Sequence, residues 1–308
     1  MNSRTVRRTT LSIAAVAALT GVAACGSGSS GQGGKAVGQG VAAVSPIAAL
    51  RSAETSTAKA DSARVESTTS MGSVMSLKGT GALDWSHGIA GSLSITYTGG
   101  TAAETMRKLG STTTEARYVA DGYYTRMSDQ YAALVGGKHW LKYSYDDLAA
   151  MGGGSGAYLK DQMQNTTPNQ GVRLLMASGD VRKAGEEKVA GQSATHYTGT
   201  VNVADFADKS NHNLSADQLS SLKKQLSQTG ISTETVDIWI NDQNLLVKKV
   251  EKADTANGPM TTTALYRDYG VKVSVTAPPA SDTEDVAKLL KQQGASTGAL
   301  TGGTGTSS

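Results

Sequence analysis

The chain has 308 residues, a single Cys, 36 Gly, one Phe and three Trp, and its 29 Lys+Arg exceed its 26 Asp+Glu by three. Arg4, Arg7 and Arg8 account for that whole excess, so residues 25–308 are formally neutral; this excludes a basic nucleic-acid footprint and polybasic attraction to anionic lipid heads. One cysteine excludes a disulfide framework within the chain, and no apolar run reaches the roughly 18 residues of a membrane-spanning helix.

The three arginines open a cationic start, and Leu11 to Leu19 (LSIAAVAAL) is an apolar run too short to span a bilayer. The small-residue exit Val22-Ala23-Ala24 then meets Cys25 and Gly26. This junction resembles the bacterial lipobox, which implies cleavage after Ala24 and acylation of Cys25. Arg7-Arg8 faintly resembles a twin-arginine signal, and ordinary Sec export is the simpler reading. Residues 1–24 are therefore expected to be a lipoprotein signal peptide. Residues 25–42 form the lipidated Cys and a flexible Gly/Ser tether, of which 15 residues span about 20 Å root-mean-square. The expected location is the extracytoplasmic face of the cell membrane, with Cys25 as the anchor. Gly26 to Gly31 spells G-x-G-x-x-G, but without a preceding strand or a following helix the match carries no dinucleotide chemistry.

Ser45-Pro46 is a helix start, with Ile47 and Leu50 on a stripe that fades near Thr57. Residues 62–71 read as a strand. Met75, Leu77, Gly79, Gly81, Leu83 and Trp85 then alternate with polar or small residues, the period of a strand with one buried face. Leu93, Ile95 and Tyr97 share a face after the His87-Gly88 turn. Residues 99–110 are a loop or short helix. Asp121-Gly122 joins strands 115–120 and 123–127 in a hairpin, and 138–142 is another strand. Ser144 with Asp147 caps a short helix that the glycines of 152–156 break. Residues 158–176 are mostly helical and carry Leu174 and Met176.

Residues 181–189 and 192–203 form a second hairpin. Leu219, Leu222 and Leu226 mark a helix from Ser215 to Gly230. Ile238 and Ile240 lie on one face of a strand that pairs with 245–252. Strands at 261–269 and 271–275 close the sheet before Pro278-Pro279. A single domain over 43–280 is expected, with 281–308 mostly disordered apart from a loose helix at 283–293. The outline is α+β: antiparallel strands with helices gathered on one face.

Residues 180–201 (DVRKAGEEKVAGQSATHYTGTV), 236–247 (VDIWINDQNLLV), and Tyr266-Arg267-Asp268-Tyr269-Gly270 with Pro278-Pro279 resemble the actinobacterial LppX/LprG-type lipoproteins. These share a fold with the LolA/LolB lipoprotein carriers. The resemblance covers roughly residues 43–290. It implies a strongly curved antiparallel sheet, a half-open barrel with helices packed on the concave face. Between sheet and helices it implies an apolar cavity for a lipid, acyl chain or lipoglycan. The cavity-lining candidates are Leu77, Leu83, Trp85, Leu93, Ile95, Tyr97, Leu174, Met176, Ile238 and Ile240. The small, Ala/Ser/Gly-rich interior and the Gly-rich insert at 152–156 depart from the pattern and bear on cavity size.

No familiar catalytic pattern fits the sequence. Ser155 lacks the G-x-S-x-G frame, and His87, His139, His196 and His212 form no H-E-x-x-H or close pair. Asp205, Asp208, Asn211 and His212 match no calcium loop, and Asp146-Asp147 suits a helix N-terminus. The expectation is a binding protein rather than an enzyme, with no metal, no cofactor and no nucleic-acid partner. Its partners are the membrane, through the anchor, and a lipid or lipoglycan. The other readings are an envelope interaction protein with a filled core, and an enzyme whose site is not visible in linear sequence.

Overall fold

The computed structural model describes residues 45–151, 167–202 and 231–292. Cys25 and its tether, the glycine insert at 152–156, and the helix expected over 215–230 lie outside these residues.

Helix α1 (Pro46–Lys59) starts as its sequence dictates: the Ser45 hydroxyl accepts from the Ala48 amide at 3.3 Å, with Pro in the first turn. Its buried residues, Leu50, Ala53 and Thr57, fall on one helical stripe. Six strands follow with short connections: β1 (Ser62–Met71), β2 (Met75–Asp84), β3 (Ala90–Gly99), β4 (Thr113–Val119), β5 (Gly122–Arg126) and β6 (Trp140–Ser144). Helix α2 (Gly100–Lys108) fills the loop between β3 and β4, α3 (Asp129–Leu134) precedes β6, and α4 (Tyr145–Met151) follows it. Ser144 caps α4 as expected, accepting from the Asp147 amide at 3.4 Å. The second half holds α5 (Asn169–Ser178), then β7 (Arg182–Val189), β8 (Gln192–Asn202), β9 (Thr233–Asn241), β10 (Leu246–Thr255) and β11 (Gly258–Arg267).

The described strands belong to one curved, open sheet, ordered β12-β6-β5-β4-β3-β2-β1-β11-β10-β9-β8-β7, where β12 is Thr283–Asp285. Apart from β12, each half pairs sequence neighbours in antiparallel register, and β1 joins β11 across the seam. The α+β class read from the sequence is the observed one. Helices α1 and α5 lie on the concave face, where Leu50, Ala53, Val172, Leu174 and Leu175 meet Val65, Leu83, Val236, Ile238, Ile240 and Tyr266. Strand alternation sends the intervening residues outward, so Trp239 joins Val189, Ala194, Val247 and Val250 in a second cluster on the other face.

Three expectations are corrected. The strand expected at 271–275 is irregular: Asp268 (φ 50°) and Gly270 (φ 77°) turn the chain off the ladder, and β1 and β10 already occupy both edges of β11. Residues 283–285, expected to begin a loose helix in the C-terminal tail, form β12 instead, parallel to β6, and helix α6 (Val286–Gln292) follows within the expected helical span. This segment is held because Asp282 accepts from the His139 amide at 3.0 Å and contacts its ring nitrogen at 2.7 Å, while Lys138 donates to the Ser281 carbonyl. Finally, Gly122 is not a turn residue. It sits in β5 facing β6, where a Cβ would stand 2.7 Å from the Tyr143 carbonyl oxygen. The two-residue positive-φ turn occurs in the other hairpin, at Ala190 (φ 49°) and Gly191 (φ 86°).

Candidate functional site

Register defines what lines the concave face. Directly paired residues on neighbouring strands share a face, and residues two apart along a strand stay on it. One row across the sheet reads Ala63, Leu83, Gly91, Tyr118, Tyr123, Tyr143. The next reads Tyr266, Val65, Gly81, Leu93, Ala116, Thr125, Leu141. A third reads Ile238, Lys249, Ala264, Ser67, Gly79, Ile95, Thr114. The ten candidates from sequence thus fall on two regions of one face or on the helix above it.

Leu83, Leu174, Ile238 and Ile240 are buried members of the cluster beneath α1 and α5, with Ile238 0% exposed. Trp85, Leu93 and Met176 are partly buried against it, and Trp85 meets the Tyr269 ring edge-on at 6.2 Å. Leu77, Ile95 and Tyr97 lie outside that cluster, half-buried on β2 and β3. This second region is the candidate binding face. Glycines shape it: Gly79, Gly81 and Gly91 put no side chain on β2 and β3. A Cβ at Gly91 (φ 143°) would strike the Ala82 carbonyl at 2.2 Å.

Aromatic residues that the linear pattern did not single out dominate the β4–β6 end. The Tyr118 and Tyr123 rings are 5.0 Å apart and Tyr123 and Tyr143 are 5.8 Å apart. Burial raises the pKa of Tyr118, Tyr123 and Tyr143 above the usual phenol value, so all three hydroxyls stay protonated donors. Tyr145, at the start of α4, is 3% exposed; burial pushes its pKa up to about 12, and among the described residues its hydroxyl has no hydrogen-bond partner. The signal for this cluster was the Arg-Tyr-Val-Ala-Asp-Gly-Tyr-Tyr hairpin itself, once the register sets Tyr118 against Tyr123.

Beneath α5 the same face carries charge. Lys249 and Glu251 form a 2.7 Å ion pair, and Glu234 lies beside them with its pKa raised to about 7 by burial and by the Glu251 charge. The alternation around β10 hid this pair, because a bulge between Leu246 and Lys248 shifts the register.

The histidines have structural partners. His196 Nε2 donates to the Asp237 carboxylate at 2.8 Å, and the ring stacks on Trp239 at 4.1 Å on the outer face. His87 contacts Ser86, and His139 ties β6 to Asp282. Asp205, Asp208, Asn211 and His212 lie outside the described residues. An open crevice of about 640 Å³ is lined by Arg64, Glu66, Thr80, Arg267 and Asp268 on the outer face, where Arg267 and Lys78 both pair with Glu66. It is polar and distinct from the concave face. No helix among the described residues is long and apolar enough to cross a membrane.

No protein-family profile matches the chain. A 31.2 kDa protein of Streptomyces griseus from the rplA–rplJ intergenic region is 51% identical over 260 residues, covering 84% of this chain and 85% of that one. A candidate lipoprotein of Streptomyces coelicolor is 46% identical over 311 aligned positions, covering 96% of this chain and all of its own length. Among solved structures, the crystal structure of the Mycobacterium tuberculosis lipoprotein LppX is similar at 15% identity, covering 75% of this chain and 98% of that one, with a TM-score of 0.46. On the identity and coverage of the two Streptomyces relatives, the chain belongs to the same protein family as they do.

Proposed function

We propose that the chain is a lipoprotein anchored through acylated Cys25 on the outer side of the cytoplasmic membrane, and that it holds the apolar part of a lipid or lipoglycan against its concave sheet. The observation that carries this reading is the half-buried apolar and aromatic surface of β2–β6, with Leu77, Ile95, Tyr97, Tyr123 and Tyr143 on the same face as the core but outside its packed cluster. Apolar walls with a few polar groups are what small-ligand sites present. The S. coelicolor relative's name agrees with the anchor, and the Val22-Ala23-Ala24-Cys25 junction supplies its chemistry. Two or more acyl chains hold a protein firmly where one holds it marginally. On this reading the role is binding, with carriage across the envelope as its use.

The test is native mass spectrometry and solvent extraction of the protein purified from a Streptomyces membrane. A co-purifying lipid at a fixed stoichiometry is expected; an empty protein overturns the reading. Labelled palmitate should enter the wild type and not Cys25→Ser, and the variant should leave the membrane fraction.

A second reading, a filled-core protein that docks envelope partners, draws on the tight burial of Leu83, Leu174, Ile238 and Ile240. It predicts a lipid-free protein that crosslinks to another protein in cells.

A further inference from the structure

Three methionines stand in one row at the open end of the concave face. Met71, the last residue of β1, lies directly opposite Met75 of β2 on one side and Met260 of β11 on the other. Both registers run unbroken from Val65, so alternation puts all three side chains on the face that carries Val65 and Ser67. Directly opposed residues on neighbouring strands have Cβ atoms about 4.5–5.5 Å apart, which lets three flexible thioether arms meet at one point. One row inward, the Thr69 and Thr262 hydroxyls already meet at 3.3 Å across the same seam. The backbone under the row is fixed. Gly72 donates its N–H to the Pro259 carbonyl at 3.0 Å, which ties the β1–β2 turn to the β10–β11 turn. Gly72 (φ 46°) is required there, because a Cβ would stand 2.2 Å from the Asn257 carbonyl oxygen. The first turn of α2 holds the same tip from the other side, donating to the Ser73 and Val74 carbonyls.

All three methionines are half-buried and belong to neither packed cluster, so the row is reachable from solvent and is not core filling. Thioether sulfur is a soft donor with no proton to lose, and soft sulfur selects cuprous ion over the harder divalent ions. Among the described residues no group of three His, Cys, Asp or Glu side chains could hold a metal. The sequence expectation of no metal was built on those donors and left methionine out. The row continues through Ala253 to Glu234 and contains no Lys or Arg to oppose a cation. The geometry points to a three-thioether site for a single cuprous ion at Met71, Met75 and Met260. It lies on strand ends beyond Leu77 and does not depend on lipid binding.

The test titrates the full chain anaerobically with cuprous ion against bicinchoninate as competing chelator, and with silver ion as the air-stable analogue. One equivalent should bind, with the same affinity at pH 7 and pH 5, since thioethers do not protonate as thiolate or imidazole ligands do. With methionine methyl groups labelled for NMR, the signals of Met71, Met75 and Met260 should shift and the other methyl signals stay. Met71→Leu keeps the bulk and removes the central sulfur. Its melting temperature should stay close to the wild type's, while cuprous affinity falls about a hundredfold, at least what an outer-shell partner is worth at other metal centres. The triple variant Met71→Leu/Met75→Leu/Met260→Leu should not bind, and Met127→Leu, at the end of β5, should bind as the wild type does. Cys25→Ser removes the lone thiol and should also leave binding intact. Loss of binding in Cys25→Ser, undiminished binding by the triple variant, or affinity that falls at pH 5 overturns the site. If the triple variant does not fold, the wild-type methyl spectrum decides: no shift, or shifts at other methionines, overturns it.

Discussion

Lys249 and Glu251 stand two residues apart on β10 and meet in a 2.7 Å ion pair on the face that α5 covers, where Glu234 of β9 adds a second carboxylate. Burial works against the Lys249 charge, and Glu251, Tyr266 and Glu234 together outweigh it, so the ammonium is held above the ordinary lysine value. Glu234 is the group left over.

Its pKa of about 7, against an ordinary glutamate value of 4.5, gives the fold a pH dependence. Between those values the folded chain binds a proton that the unfolded chain has released, so stability falls as pH rises from about 4.5 to 7 and is flat above that. The full swing is about 3 kcal/mol at 1.36 kcal/mol per unit. Denaturant midpoints of the wild type should therefore drop across this window, and Glu234→Gln should flatten the profile.

Gly171 lies in the first turn of α5, over this pair. A Cβ there would stand 2.3 Å from the Lys249 side chain and 3.4 Å from a Glu251 oxygen. The lysine is tethered by its partner and cannot simply swing away. Gly171→Val should cost about 1–3 kcal/mol by overpacking, and Gly171→Val with Lys249→Ala should recover less than a free lysine would allow, because Glu251 then loses its counterion. Chemical denaturation of the two variants separates these contributions.

Thr57 is 0% exposed, and its hydroxyl accepts from the Leu246 amide at 3.1 Å, fastening α1 to the start of β10. Thr57→Val keeps the shape and orphans a buried N–H, so a loss of about 1–3 kcal/mol is expected; Thr57→Ser should lose less. Thermal unfolding of both decides it.

Asp282 holds the C-terminal strand to the sheet through the backbone and ring of His139, and the backbone N–H is the first cause of its lowered pKa. Asp282→Ala should raise hydrogen exchange at Thr283–Asp285 by about tenfold and leave β1–β3 unaffected. Exchange that rises equally in all strands would mean the anchor is global.

The local elements were legible because each had its own punctuation. Ser45-Pro46 set the start of α1, and β1 and β2 run where alternation placed them, to within a residue. What failed was non-local. The β12–β6 pair joins residues about 140 apart through one aspartate, and no period marks a three-residue strand. The candidate face was half legible: alternation put Leu77, Ile95 and Tyr97 on one side. Only the register of β3 to β6 shows that Tyr118, Tyr123 and Tyr143 continue that row, and only the β10 bulge explains why a lysine and a glutamate sit among apolar neighbours.

The β1–β11 seam has a kinetic consequence. Either side of it antiparallel strands pair with their sequence neighbours, but the seam itself brings together residues such as Glu66 and Arg267, 201 apart. Closing so large a loop is entropically slow and is rewarded only once both partners are in place. Each meander therefore ripens separately, with β1 and β11 as bare, sticky margins until they zip together. On the proposed export, that interval is spent on the far side of the membrane, where unpaired margins invite wrong partners.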